Sequence, residues 1–199
     1  MKRMTKRERG FTLLEALVVV GIMFVLMGIA IIQSFGSRES YLANSAMDSV
    51  VSQMRLAREL AITQRRNVKI TVVANPGPGL APHVDYQVLA APGSKEPNGP
   101  VVPAIIPVQT SFMLTPGVPD TPMNFGNSAP IYIGNVSGGP PFMEFTSTGQ
   151  FTDNTGFNTL NGTIFIGITG QKNTARAVTV MGGTGRVRPY TYTGTSWID

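Results

Sequence analysis

The chain has 199 residues, of which 42 % are hydrophobic and only 14 % are charged, a balance that excludes an intrinsically disordered protein. It contains no cysteine and one histidine, His83, so metal sites built on thiolates are excluded. The formal charge of +5 does not indicate a basic nucleic-acid-binding domain, because the first ten residues hold five of the 16 basic side chains and one of the 11 acidic ones. The remainder of the chain is therefore close to neutral.

The N-terminal region combines a basic flank with a long apolar run. Residues 1–10 are polar and basic, and Phe11 to Ile32 contain one charged residue, Glu15. An apolar helix of about 20 residues spans the hydrocarbon core of a bilayer, and the basic flank is expected to stay in the cytoplasm. This pattern predicts a single-pass segment at residues 11–33, with the rest of the chain outside the cytoplasm.

Two common kinds of apolar segment do not account for this region. A cleaved signal peptide has a shorter apolar stretch that ends in small residues, and residues 29–33 offer no such site. A plain membrane anchor explains the length but leaves Glu15 unexplained. A carboxylate inside a membrane helix costs about 2.5–3.5 kcal/mol near the bilayer centre and is usually functional.

The string Arg9-Gly10-Phe11-Thr12-Leu13-Leu14-Glu15 resembles the type IV prepilin signal. The resemblance implies a leader, residues 1–10, that prepilin peptidase removes between Gly10 and Phe11. It also implies that the same enzyme methylates Phe11, and that Glu15 is the fifth residue of the mature chain.

The chemistry of Glu15 follows from that cut. Cleavage creates a charged amine at Phe11 that becomes buried when apolar helices pack side by side. Buried charges persist when they are paired, so a carboxylate of a neighbouring subunit is expected to neutralise this amine. We therefore expect Glu15 to set the register in which subunits assemble.

Helical periodicity continues beyond the apolar run, through residues 34–66. Apolar residues recur at steps of three and four, with polar residues between them, and we expect their stripe to pack on a sheet: Leu42, Ala46, Met47, Val50, Val51, Met54, Ala57 and Ala61. The two segments together predict one helix of about 55 residues. Two helices with a break near Gly36 remain the alternative.

The pattern changes at Asn67, and residues 67–199 predict a β-rich head. Strands are expected at residues 68–72, 84–89, 111–114, 131–133, 142–145, 163–169, 175–181 and 186–192, with Pro/Gly-rich loops between them. The fold class is therefore α+β, with a long N-terminal helix packed on antiparallel strands. We expect the head to lie in the periplasm.

Three motifs, one in the helix and two in the β-rich head, make the family resemblance more specific. The helical stretch Met54–Arg65, the segment Phe145–Gly149 and the segment Gly185–Arg188 are similar to motifs of the GspH/FimT family of minor pilins. The Pro-rich region of residues 90–130 has no counterpart among these motifs.

The resemblance implies two roles. GspH-like members are minor pseudopilins of type II secretion, and FimT-like members serve type IV pili, some of them binding DNA through a Gly-Arg-x-Arg element. Arg186 and Arg188 project from one face of a strand and would be the DNA contacts, with Lys172 and Arg176 joining them and Tyr190, Tyr192 and Trp197 as stacking candidates. The near-neutral chain favours the secretion role, with DNA binding as the alternative.

The remaining expectations concern partners and chemistry. The resemblance implies other pilins or pseudopilins, prepilin peptidase, an inner-membrane assembly platform and inner-membrane lipid as partners. No enzyme activity, cofactor or metal site is expected. His83 lacks a partner set, and Asp153–Gly156 is typical of a turn rather than a calcium loop.

Overall fold

The computed structural model describes residues 12–91 and 94–199, and the side chains of residues 30–37 lie outside that description. One helix, α1, spans Leu13–Gln64, a length of 52 residues. The prediction of one long helix is confirmed, and the alternative break near Gly36 is wrong, because the backbone there is helical. The chain divides into an N-terminal unit and a C-terminal unit, with the boundary between Arg38 and Glu39.

The N-terminal unit exposes its apolar side chains on every side of the helix. All thirteen large apolar residues between Leu13 and Ile29 are at least 40 % exposed. No helix in the described part of the chain is both long enough and apolar enough to cross a membrane. Residue 11 and the side chains of residues 30–33, which belong to the predicted membrane segment, lie outside the described residues.

The C-terminal end of α1 is closed by a Schellman motif. The backbone N–H of Arg66 donates to Ala61 O at 3.1 Å, and that of Arg65 donates to Ile62 O at 3.3 Å. Arg65 adopts the left-handed conformation, with φ of 51°, at the position where glycine is usually found. This cap turns the chain directly into the first strand.

Among the residues that the structure describes, twelve strands follow the helix: β1 Val68–Val73, β2 His83–Val88, β3 Val102–Ile105, β4 Ser111–Phe112, β5 Ile131–Ile133, β6 Val136–Ser137, β7 Met143–Phe145, β8 Phe151–Asp153, β9 Gly162–Ile168, β10 Gln171–Met181, β11 Arg186–Tyr192 and β12 Trp197–Ile198. They form two antiparallel sheets. The first has the order β3-β2-β1-β7-β8, and the second has the order β12-β11-β10-β9-β5-β6, with β4 also paired to β9. The predicted α+β class is confirmed.

The main core lies between the second half of α1 and the two sheets. The apolar stripe predicted from periodicity is buried at Ala46, Val50, Met54, Ala57 and Ala61, each at most 1 % exposed. These side chains meet inward-facing residues of both sheets, including Phe145 and Phe151, whose rings lie 4.9 Å apart. Burial of this stripe fixes which face of the helix contacts the strands.

A second apolar cluster covers the other face of the larger sheet. Its members are Val118, Phe165, Ala175, Ala177, Tyr190, Tyr192 and Trp197. The indole N–H of Trp197 donates to Pro119 O at 2.9 Å, and Val118 packs in the same cluster. Part of the Pro-rich region therefore acts as a cover for this sheet, a role that its composition did not predict.

Candidate functional site

Thr12 and Glu15 form the N-terminal cap of α1. The hydroxyl of Thr12, the residue before the helix, accepts a hydrogen bond from the backbone N–H of Glu15 at 3.2 Å. Thr-x-x-Glu is the sequence of a capping box, in which the acid at the third helical position also favours the positive end of the helix dipole. This signal is visible in the sequence, but we did not predict a capping role for Glu15.

Glu15 is exposed in the single chain, so its carboxylate is available to a neighbouring molecule. Gly10 and Phe11, the predicted processing residues, lie outside the described residues. The pairing of Glu15 with the amine of Phe11 therefore stays a prediction.

The three head motifs meet at one place in the C-terminal unit. Arg58 of the helix donates from Nε to Gly149 O at 3.1 Å, and Arg55 donates from Nη2 to Val187 O at 3.2 Å. Each of the three motif segments thus contributes to a joint between the helix, the turn after β7 and the start of β11. The structure gives these segments a packing role that does not depend on any ligand.

Gly149 and Gly185 allow this close approach. A Cβ atom on Gly185 would lie 1.9 Å from Gly149 O, and one on Gly149 would lie 2.8 Å from the Cδ1 atom of Ile62. Both glycines have positive φ, 61° at Gly185 and 83° at Gly149, so a side chain would also be strained by the backbone conformation. The packing of the joint therefore requires glycine at position 185, whether or not Arg186 binds a ligand.

A groove of about 760 Å³ lies beside this joint, and we call it the arginine groove. Its lining includes Arg55, Arg58, Glu59 and Arg186 together with the apolar residue Ile62. Within the described residues, none of the three arginines has a carboxylate within 4.0 Å. Because Arg55 and Arg58 each use one N–H on a backbone carbonyl, their guanidinium groups are held in place with other N–H groups available.

Arg186 and Arg188 differ in their surroundings. Both line a smaller pocket with Met181, as expected for residues two apart on a strand. Arg186 is exposed, whereas Arg188 lies 3.5 Å from a carboxylate oxygen of Asp199. A hydrogen bond with Tyr190 raises the pKa of Arg188, so this guanidinium is always charged but already has partners.

Of the five other residues proposed to join a DNA contact, Lys172 is exposed and four are buried. Arg176 is 3 % exposed and donates from Nε to Asn44 Oδ1 at 2.6 Å, which ties the helix to β10. Tyr190, Tyr192 and Trp197 are buried in the second cluster, so their rings are unavailable for stacking with bases. The prediction was wrong for these four residues because each packs against a segment distant in sequence.

The remaining polar candidates are structural. His83 begins β2 rather than lying in a loop, and its Nε2 is 3.6 Å from Asp85 Oδ1. Asp153 accepts hydrogen bonds from the backbone and hydroxyl of Thr155 at 2.9 and 2.6 Å, the pattern of a turn. No group of three metal-binding side chains occurs among residues 12–91 and 94–199.

Residues 5–31 match the family model described as the prokaryotic N-terminal methylation motif. The chain carries the N-terminal methylation motif of pilins. This motif includes the predicted cleavage residues and Glu15, and it belongs to a family of structural subunits rather than enzymes. No curated protein matches the chain.

Solved structures of a minor pseudopilin and a minor pilin resemble parts of this chain. The minor pseudopilin EpsH of the type 2 secretion system of Vibrio cholerae is 14 % identical, with a TM-score of 0.46 over 75 % of this chain and 96 % of EpsH. The type IV minor pilin FimU of Pseudomonas aeruginosa PAO1 is 16 % identical. Its two crystal forms give TM-scores of 0.44 and 0.43 over 78 % of this chain and 92 % or 97 % of FimU. Likenesses this weak do not establish a shared role.

Proposed function

We propose that the chain is a minor pilin or pseudopilin that prepilin peptidase cuts between Gly10 and Phe11 and that joins a filament through α1. The observation that carries this proposal is the match of residues 5–31 to the methylation motif. We further propose that the protein is anchored in the inner membrane as a prepilin, with its C-terminal unit in the periplasm. Its partners would be other pilins, prepilin peptidase and the assembly platform.

The exposed apolar helix supports this role. A helix that is apolar on all sides is stable when lipid or other helices surround it, and large exposed apolar surfaces mark such contacts. The side chains from Leu13 to Ile29 are suited first to membrane lipid and then to the helices of neighbouring subunits. The same surface would therefore serve before and after assembly.

Incorporation into filaments tests the role of Glu15 directly. Glu15→Gln removes the charge but keeps a polar side chain at the third helical position, whereas Thr12→Ala removes the cap hydroxyl and keeps the carboxylate. We expect the Gln variant to be processed and membrane-bound but depleted from sheared filaments, and the Ala variant to be incorporated. Quantitative immunoblots of membrane and filament fractions would measure both.

Two outcomes would count against an assembly charge at Glu15. One is normal incorporation of Glu15→Gln. The other is an equal loss in both variants, which would assign the effect to helix capping.

Within this class we favour a GspH-like structural role in protein secretion. The near-neutral charge of residues 11–199 supports this role. The joint at Gly149 and Gly185 supports it as well, because that joint gives the Gly-Arg-x-Arg segment a packing role. Deleting the gene should reduce export of a secreted reporter enzyme and leave DNA uptake unchanged. Loss of uptake with normal secretion would overturn this choice.

A DNA-binding role in natural transformation is the second candidate, and the arginine groove supports it. Glu59 also lines the groove, but among the described residues no carboxylate lies within 4.0 Å of its three guanidinium groups, which would therefore attract phosphates. Arg186 is an exposed member of this set. For the full chain in micelles, Arg186→Ala should lower the salt dependence of DNA binding by roughly one phosphate contact. Arg188→Ala is the matched control and should have a smaller effect because Arg188 already faces Asp199. No binding at low salt would end this candidate.

A further inference from the structure

A second groove, which shares no lining residue with the arginine groove, is rich in amide side chains. Its volume is about 560 Å³, and it lies between the loop before β5, the β5–β6 turn and the segment that joins β8 to β9. Four asparagines and one aspartate line it: Asn124, Asn135, Asn158, Asn161 and Asp153. We call it the amide groove.

Several of these amides have unused hydrogen-bonding capacity. Among the described residues, the side chains of Asn124 and Asn135 have no hydrogen-bond partner, and that of Asn161 uses only Oδ1, which accepts from the N–H of Gly182 at 2.8 Å. Asn124 and Asn135 have positive φ, 52° and 62°, which is typical of residues in tight turns. Each turn fixes the backbone position of its asparagine. The groove thus offers amide donors and acceptors from separate turns.

The lining of the groove favours a neutral ligand. No basic side chain lines it within the described part of the chain. Its one acid, Asp153, accepts bonds from Thr155 on Oδ1 and from Asn158 on Oδ2, at 2.6 and 2.7 Å for the side-chain bonds. These bonds lower the pKa of Asp153 and already satisfy both of its oxygens. A neutral ligand that both donates and accepts hydrogen bonds suits such a site, and hydroxyl groups do both.

The segments that form the amide groove also carry apolar side chains. Phe157 is 89 % exposed in the turn that carries Asp153 and Asn158, and its backbone N–H donates to the Thr155 hydroxyl at 3.3 Å. Phe125 and Pro140 line the groove itself. A ligand with a hydroxyl edge and an apolar face would use both kinds of surface, and a pyranose ring has this shape.

We propose that the amide groove binds a neutral oligosaccharide. The asparagine amides hydrogen-bond its hydroxyl groups, and the exposed ring of Phe157, the residue before Asn158, contacts a C–H face of a sugar. This inference does not depend on filament assembly or on DNA binding, since it uses different residues of the C-terminal unit.

Titration of the full chain with chitotetraose and with maltotetraose tests the proposal. The protein is kept in micelles of a detergent without a sugar headgroup, and ¹⁵N spectra follow the side-chain NH₂ signals of the asparagines. We expect saturable shifts of the Asn124 and Asn135 signals at millimolar concentrations of at least one tetrasaccharide. The absence of saturable shifts with both sugars would overturn the proposal.

Matched variants locate the binding. Asn124→Gly combined with Asn135→Gly removes both amides at positions whose φ suits glycine, and it should weaken binding roughly tenfold or more if two hydrogen bonds are lost. Phe157→Ala should also weaken it. The exposed controls Asn173→Ala and Leu80→Ala should not change the affinity. Unchanged binding by the double variant, or an equal loss in the controls, would contradict the assignment.

Discussion

Replacing Gly185 with alanine tests the joint at which the helix, the turn after β7 and β11 meet. The new Cβ atom would lie 1.9 Å from Gly149 O, well inside any normal contact, and φ of 61° would be strained for alanine. The left-handed conformation alone costs about 1–2 kcal/mol. Moving the Gly149 carbonyl would also break its bond to Arg58, and a hydrogen bond to a charged group contributes about 1.5–3 kcal/mol.

We therefore expect Gly185→Ala to lower the free energy of unfolding by roughly 3–5 kcal/mol. A change of 1 kcal/mol lowers the melting temperature by about 2–4 °C in a domain of this size, so a fall of roughly 6–20 °C is expected. Fluorescence of Trp197, the single tryptophan, would follow thermal unfolding of the C-terminal unit.

Gly183→Ala is the matched control, because a Cβ atom there meets no atom within 4 Å. It should melt close to the wild-type protein. If Gly185→Ala melted within about 1 °C of Gly183→Ala, the reasoning that the joint requires a glycine would be refuted.

Three further predictions concern stability. Arg65→Gly should raise the free energy of unfolding by about 1 kcal/mol, because glycine relieves the left-handed strain of the helix cap. The control Gln64→Gly lies within the helix and should lower this free energy. Urea titration would measure both, and a destabilised Arg65→Gly variant would contradict the strain argument. Burial raises the pKa of Glu144, so the native state binds the proton of this carboxyl group more tightly than the unfolded state does. Proton binding therefore contributes to the free energy of unfolding at low pH. This contribution is lost as the pH rises from the usual carboxyl range through the raised pKa. Glu144→Gln should therefore gain stability over the wild type with rising pH in urea titrations, and a constant difference would contradict this. Trp197→Phe removes the hydrogen bond to Pro119 O and should lower the free energy of unfolding by about 1 kcal/mol or more, as measured by calorimetry. An unchanged free energy of unfolding would show that this bond does not hold the Pro-rich cover in place.

The helix and its buried stripe could be predicted because their pattern is local. Ala46, Val50 and Met54 recur at helical spacing with polar residues between them, and the structure buries all three. Strand β1 was equally clear from the alternation that begins at Val68. In both elements the period of apolar residues matches the geometry of the backbone.

Four strands were not predicted, although each of them pairs with the strand that precedes it in the chain. Strand β3 contains Pro103 and lies in a Pro-rich region predicted as a loop, but it forms the edge of the smaller sheet, where a proline can be accommodated. Strands β6, β8 and β12, of two or three residues each, were not predicted either.

In the candidate sites, too, local patterns were predicted and contacts between segments distant in sequence were not. The sequence placed Arg186 and Arg188 on one strand, but it could not show that Arg55 and Arg58 lie beside Arg186, because the helix and β11 are more than a hundred residues apart. Nothing in the sequence around Arg176 indicates burial, yet its guanidinium is buried, where it donates to Asn44 of the helix and to the backbone oxygens of Asn173 and Ala175. Such contacts depend on how the helix packs on the sheets, which composition and spacing do not specify.

The N-terminal mass of the protein purified from its native membrane tests the central claim most directly. With prepilin peptidase present, we expect a chain that begins at methylated Phe11, and with the peptidase deleted, a chain that retains Gly10 and the residues before it. An intact N-terminus in the presence of the peptidase, or a cut beyond Ile32, would contradict the identity of this chain as a processed filament subunit.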